Sequence, residues 1–174
     1  KEMGALSVNV VHIGIDPSEY VPLELEKDLD IFFFGHNGDT RKKFINMMVT
    51  EPSKVLDYKF LIGGRNYNMD LGKAKYISEN TDFTKWKELS SRAKINLNLV
   101  HELHANTYAT STARIFELSA LRCCIVSSPY QGLERWFEPK KEILIANSTE
   151  EAMEIYQTLM EDSELRLKIG LAAE

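Results

Sequence analysis

Asp30-Ile31-Phe32-Phe33-Phe34-Gly35 holds four consecutive large apolar residues, Ile31 to Phe34, closed by glycine. A half-exposed strand alternates apolar and polar residues. A run apolar on both faces is what a central parallel strand needs, because helices cover both sides of its sheet. Phe44, Ile45, Met47, Met48 and Val49 give a helical face beyond Arg41. Lys59-Phe60-Leu61-Ile62, closed by Gly63-Gly64, is a second strand, and Lys75-Tyr76-Ile77-Ser78 a third. Helical residues around Trp86-Lys87-Glu88-Leu89 lead to Ile95-Asn96-Leu97-Asn98-Leu99-Val100, the fourth. Ile115, Phe116, Leu118, Ser119 and Leu121 line the next helix, before Cys123-Cys124-Ile125-Val126 as strand five and Glu142-Ile143-Leu144-Ile145 as strand six. Ser148 with Glu151 has the spacing of a capping box and starts a helix with Ala152, Ile155, Tyr156 and Leu159 on one face. A break at Asp162-Ser163 precedes a last helix carrying Leu165 and Ile169.

Strands that alternate with helices imply crossover connections and hence a mostly parallel sheet. The pattern predicts a doubly wound α/β fold with six parallel strands in the order 3-2-1-4-5-6. Its switch point falls between strands one and four, so ligand is expected at the loops leaving them, Gly35–Arg41 and His101–Thr112. Residues 1–28 stand apart. A strand-like run from Val8 to Ile15 and a connector through Pro17 and Pro22 read as a linker ahead of one domain over 29–174.

Composition narrows the function. At 174 residues the chain fits a single domain of roughly 100–200 residues. A formal net charge of −5 argues against nucleic-acid binding, which favours a basic excess. No apolar run approaches the ~18 residues of a membrane span. Cys123 and Cys124, adjacent in an apolar run, read as reduced core residues, which points to a cytoplasmic protein.

The chemistry collects at the switch point. In Gly35-His36-Asn37-Gly38-Asp39-Thr40-Arg41, glycines let the backbone approach a ligand, a helix start attracts anions, and Arg41 offers a bidentate phosphate contact. The same residues also make a plain strand-to-helix turn with a solvated arginine. In Thr110-Ser111-Thr112-Ala113-Arg114-Ile115-Phe116-Glu117, Thr110 or Ser111 caps the helix, while Arg114 and Glu117 share a face. That pair suits a diphosphate and a ribose hydroxyl, or equally a surface ion pair of about 0.2–0.5 kcal/mol. Gly132, in the loop leaving strand five, permits a turn near the ligand. His101, Glu102 and His104 cluster after strand four, but this spacing on a loop makes a poor metal site, so no metal is expected. His101 is instead the candidate for proton transfer beside the crevice. Neither Trp86 nor Trp136 needs a ligand to explain it.

Several segments carry a family resemblance. Val11-His12-Ile13-Gly14-Ile15-Asp16-Pro17-Ser18-Glu19-Tyr20 resembles the "nGiDpxxF" segment joining the acceptor and donor domains of group 1 glycosyltransferases of the GT-B fold. Asp30–Gly35 followed by Arg41 is similar to the opening of the donor domain. Ala93-Lys94-Ile95-Asn96-Leu97-Asn98, Arg114-Ile115-Phe116-Glu117 and Gln131-Gly132-Leu133-Glu134-Arg135-Trp136-Phe137-Glu138-Pro139 resemble signatures of the spore-maturation-protein-like branch, as do the helices over 149–173. The matches run collinearly along nearly the whole chain.

The resemblance implies a Rossmann-like, GT-B C-terminal domain that binds a nucleoside-diphosphate sugar and faces an N-terminal acceptor domain. The donor site implied comprises Gly35, His36, Asn37, Gly38, Arg41, Thr112, Arg114, Glu117 and Gly132, with no metal and no cofactor beyond the donor itself. Arg41 and Arg114 take the pyrophosphate role. Glu117 matches the second, ribose-contacting glutamate of the family's Glu-x7-Glu motif, whereas the first falls at Ala109. The domain alone is expected to be inactive. A module that keeps the fold without turnover is the alternative that Ala109 favours. Dinucleotide binding is disfavoured, since Gly63-Gly64-Arg65 stands where strand two would end on an acid.

Overall fold

The computed structural model describes residues 4, 7, 12–36, 38–77, 82–108 and 112–174. Six strands form one sheet: β1 (Leu29–Phe34), β2 (Phe60–Gly63), β3 (Lys75–Ile77), β4 (Ala93–Asn98), β5 (Ile125–Ser127) and β6 (Leu144–Ile145). Their order is β3-β2-β1-β4-β5-β6 and every pairing is parallel. β1 and β4 lie side by side at the centre, with Ile31 opposite Ile95. Ile31, Phe32, Phe33, Ile95 and Leu97 are buried, as a strand covered on both faces requires.

The helical elements are α1 (Lys42–Ile45), a π segment (Asn46–Thr50), α2 (Glu51–Val55), α3 (Phe83–Arg92), α4 (Glu102–Ala105), α5 (Ala113–Ala120), α6 (Thr149–Glu161) and α7 (Ser163–Ala173). α6 packs on the π segment and α2, so these share one face of the sheet. Right-handed crossovers place α3 and α5, which feed strands on the other side of β1, on the opposite face. The helix from Lys42 to Val55 carries Pro52, which has no N–H for the carbonyl of Met48 four residues back. That buried carbonyl accepts the Tyr156 hydroxyl of α6 at 2.9 Å, so the polar group is satisfied across the interface. Ser148 caps α6 by accepting from Glu151 N at 3.1 Å, and Asp162 caps α7.

Several boundaries differ from the sequence reading, three of them by packing that the sequence did not announce. β4 begins at Ala93, directly off the end of α3 at Arg92. β5 begins at Ile125, because Cys123 N still bonds the α5 carbonyl of Leu118 and Arg122 turns with φ 55°. Residues 12–15 of the expected leading strand are not strand, and 8–11 lie outside the described residues. A strand needs a ladder partner; this segment instead packs by side chains, His12 against Trp136 at 4.7 Å and Tyr20 against Phe83 at 5.2 Å. Cys123 and Cys124 are free and buried, and burial pushes both thiols up to about 12, which leaves them unreactive. Among the described residues no helix is long and apolar enough to cross a membrane.

Candidate nucleotide-binding site

The loops leaving β1 and β4 enclose a cavity of about 230 Å³. Gly35, His36, Arg41, His101, Thr112 and Arg114, all anticipated from sequence, line it. Phe33, Phe34, Asn98 and Leu99 complete the wall. Gly38 opens the 3-10 turn Gly38–Arg41, while Glu117 and Gly132 do not line the cavity. Asn37 lies outside the described residues, as do the proposed caps Thr110 and Ser111; the residue capping α5 is Thr112, in extended conformation and without a side-chain cap bond. Gly132 adopts φ 81°, the left-handed geometry that its turn requires.

Backbone packing at the strand ends sets the floor. Gly35 N donates to Gly63 O at 3.0 Å, and the Tyr67 hydroxyl donates to Gly35 O at 2.8 Å. Tyr76 does the same for Gly64 O at 3.0 Å. Asn98, a polar residue buried at the end of a central strand, donates to Ser127 Oγ at 2.9 Å and ties β4 to β5.

Arg41 spans the two loops. Its Nε donates to Leu99 O at 2.8 Å and its Nη1 donates to His36 O. Arg114, on the first turn of α5, lies over the Trp86 indole at 4.0 Å and near the Phe34 ring at 5.3 Å. Such stacking orders a guanidinium without consuming its in-plane donors. The ion pair with Glu117 is present at 2.8 Å, but in a partly buried setting rather than on the open surface. Burial lowers the pKa of both Arg41 and Arg114. Both still remain cations at neutral pH. Two cations beside one crevice repel each other, and an anionic ligand would relieve that cost.

His36 Nδ1 accepts from Arg65 N at 3.1 Å, so its proton sits on Nε2. Partial burial lowers the pKa of His36 and then the guanidinium groups of Arg65, Arg114 and Arg41 lower it further. His101 is lowered by burial, then by Arg41 and His104. Glu102, the acid of the His101–His104 cluster, accepts from Lys43 N at 3.0 Å and caps the first helix. Both histidines titrate below their ordinary 6.5 when folded, so below that pH the unfolded chain binds more protons. The stability they contribute is held above pH 6.5 and lost as pH falls through the lower folded values. A thermal-melt series from about pH 7.5 to 5.5 should therefore fall less steeply for the His36→Gln/His101→Gln variant than for the parent. Equal slopes would dismiss the pair as the source.

Sequence reasoning missed Trp86 as the platform for Arg114, and Tyr20 as the donor to Glu117. It also missed Arg65. Asn98 did leave a signal, an amide inside an otherwise apolar strand.

Comparison with known proteins adds identity to geometry. The family described as "Glycosyl transferase-like" matches residues 41–174. No curated protein sequence matches the chain. The fold is similar to T4 phage BGT, solved with its UDP-glucose substrate, at a TM-score of 0.73 and 13% identity over 88% of this chain. It is similar to HepE from Anabaena, solved with UDP, at 0.71 and 12% over 92%. The C-terminal domain of a group 1 family glycosyl transferase, LpcC from Francisella tularensis, gives 0.68 and 16% over 92%. The match covers 94% of that isolated domain, but only 45% of the T4 protein and 50% of HepE. This chain thus spans about half the length of the two larger proteins.

Proposed function

The chain belongs to the glycosyl transferase-like family, and we propose that its cavity holds the diphosphate of a nucleotide-sugar donor. The observation that carries this reading is the convergence of Arg41, Arg114, His36 and His101 on one crevice at the switch point of the sheet. Guanidinium groups and the α5 N-terminus would meet negative charge as it develops on the departing diphosphate, the largest electrostatic demand of sugar transfer. In this reading they do so without a metal ion or other cofactor. Ligand pockets for whole drug-sized molecules run to about 300–1,000 Å³. A cavity of about 230 Å³ suits the diphosphate, with base and sugar reaching beyond it.

By this reading residues 29–174 form the donor half of a two-domain enzyme, and residues 1–28 lead into it from an acceptor domain. The half alone binds donor and transfers nothing, because the acceptor surface belongs to the other domain. The collinear signatures support placement in the spore-maturation-protein-like branch, and the buried free thiols fit a cytoplasmic setting. A second reading, a binding module without turnover, draws on Ala109 where the motif's first glutamate would stand.

Thermal melts with UDP, GDP, ADP, their sugar conjugates and NAD test the proposal. A ligand at a hundred times its Kd stabilises by about 2.7 kcal/mol, or roughly 5–10 °C for a chain of this size. At least one nucleoside diphosphate should reach that range and NAD should not. No shift with any diphosphate would end the proposal.

A further inference from the structure

Glu117 stands one helical turn beyond Arg114 of the cavity wall, and its two carboxylate oxygens differ in their surroundings. Oε1 accepts the Tyr20 hydroxyl at 2.9 Å, across 97 residues of sequence. Oε2 is buried and takes no hydrogen bond; its 2.8 Å contact with Arg114 Nη1 is an ion pair off the N–H direction. A buried acceptor without a donor is costly, so Oε2 is the atom with most to gain from a ligand hydroxyl. Tyr20 is itself held in place. Asp16 caps the 3-10 turn Pro17–Glu19 by accepting from Ser18 N at 3.0 Å, and Lys87 Nζ of α3 donates to Glu19 O at 3.1 Å. The Tyr20 ring meets Phe83 at 5.2 Å and Trp86 at 6.3 Å. Partial burial, then the Glu117 carboxylate, raises the pKa of its hydroxyl, which stays a donor at neutral pH. The "nGiDpxxF" pattern has phenylalanine at this position, so the hydroxyl is a feature of this chain.

We propose that Tyr20 is a positioning residue of the donor site, acting through Glu117: its hydroxyl sets the rotation of the carboxylate and so presents Oε2 to a hydroxyl of the bound nucleotide. This rests on the reading of the cavity as a diphosphate site, with Glu117 meeting the ribose as the resemblance implies. The terminal bond of a glutamate side chain rotates broadly between two wells. With Oε1 pinned by Tyr20, one orientation is set before ligand arrives, which lowers the ordering cost of binding. The diphosphate is met by other groups, and Arg114 keeps its own support on the Trp86 ring. Tyr20 therefore acts on the ribose end of the ligand. The segment before β1 becomes part of the donor site, although it lies outside the repeating strand-helix pattern.

Calorimetry with three probes tests this: inorganic pyrophosphate, UDP, and a UDP analogue lacking both ribose hydroxyls. Tyr20→Phe removes only the hydroxyl and keeps the ring that packs on Phe83 and Trp86. It should weaken UDP about 3–10-fold, as expected from one hydrogen bond to a charged group, and leave the other two probes within about twofold of the parent. In a Glu117→Gln background the same substitution should cost UDP nothing further, because the two side chains act as one unit. Equal losses on all three probes would mark a merely structural role and overturn the inference. So would unchanged or tighter UDP binding, or a further loss in the Glu117→Gln background. A parent chain that binds pyrophosphate but holds UDP no tighter than its analogue would overturn the inference while the diphosphate site stands. A parent that binds none of the three would end that site and this inference together.

Discussion

Arg114→Met is expected to remove most nucleoside-diphosphate affinity and to destabilise the empty chain at the same time. Methionine keeps an apolar stem against Trp86, so the change isolates the guanidinium. Charge-assisted hydrogen bonds contribute about 1.5–3 kcal/mol, which corresponds to roughly 10–150-fold in Kd. Stability falls for a separate reason. Glu117, with 15% of its side chain exposed, is left without its cation. Stranding a buried charge costs about 3–5 kcal/mol, and partial exposure with the remaining Tyr20 bond should bring this nearer 1–3 kcal/mol. The double variant Arg114→Met/Glu117→Gln should regain much of the lost stability while affinity stays reduced. Chemical denaturation and calorimetry on the three chains provide the check. Near-parental affinity in Arg114→Met would remove the cavity's principal cation from the argument.

Gly64→Ala should be more damaging to the fold than substitution of His36, Arg41, His101 or Arg114 in the cavity. Gly64 has φ 134°, a conformation almost confined to glycine, and a Cβ placed there would sit 1.8 Å from the Gly35 carbonyl oxygen. Backbone strain contributes about 1–3 kcal/mol and overpacking a similar amount, so a loss of about 3 kcal/mol or more is expected. For a chain of this length that lowers the melting temperature by roughly 6–12 °C. Gly35 lines the cavity and its carbonyl also holds Tyr67, so ligand affinity should fall together with stability. Gly14→Ala is the control, because a Cβ there meets nothing within 4 Å. A Gly64→Ala chain that melts within about a degree of the parent would mean the two strand ends do not abut as described.

The sheet was legible in the sequence because its evidence is local. A central parallel strand must be apolar on both faces, and Asp30–Gly35 announces that within a few residues. Boundaries were less so. Cys123 and Cys124 are as apolar as a strand, yet the backbone of Cys123 is still completing the end of α5. Apolar character reports burial, not ladder pairing. The leading segment failed for the same reason, since Ile13 and Ile15 suggested strand, yet residues 12–15 join none of the six strands.

The cavity divides along the same line. The loops after β1 and β4 were identifiable from strand order alone, because the switch point depends only on which strands are sequential and which are neighbours. Gly35, His36, Arg41, His101 and Thr112 followed from those two short stretches, and Arg114 from the helix start just beyond the second. The support around them was not readable. Trp86 lies on a helix that sequence assigns simply to packing, and Tyr20 belongs to a segment outside the repeating pattern. Hydrophobic period and turn chemistry are written residue by residue, so sequence determined the architecture and the location of the crevice. Which ring supports a guanidinium, and which hydroxyl turns a carboxylate, depends on how side chains far apart in the chain meet, and only tertiary packing decided that.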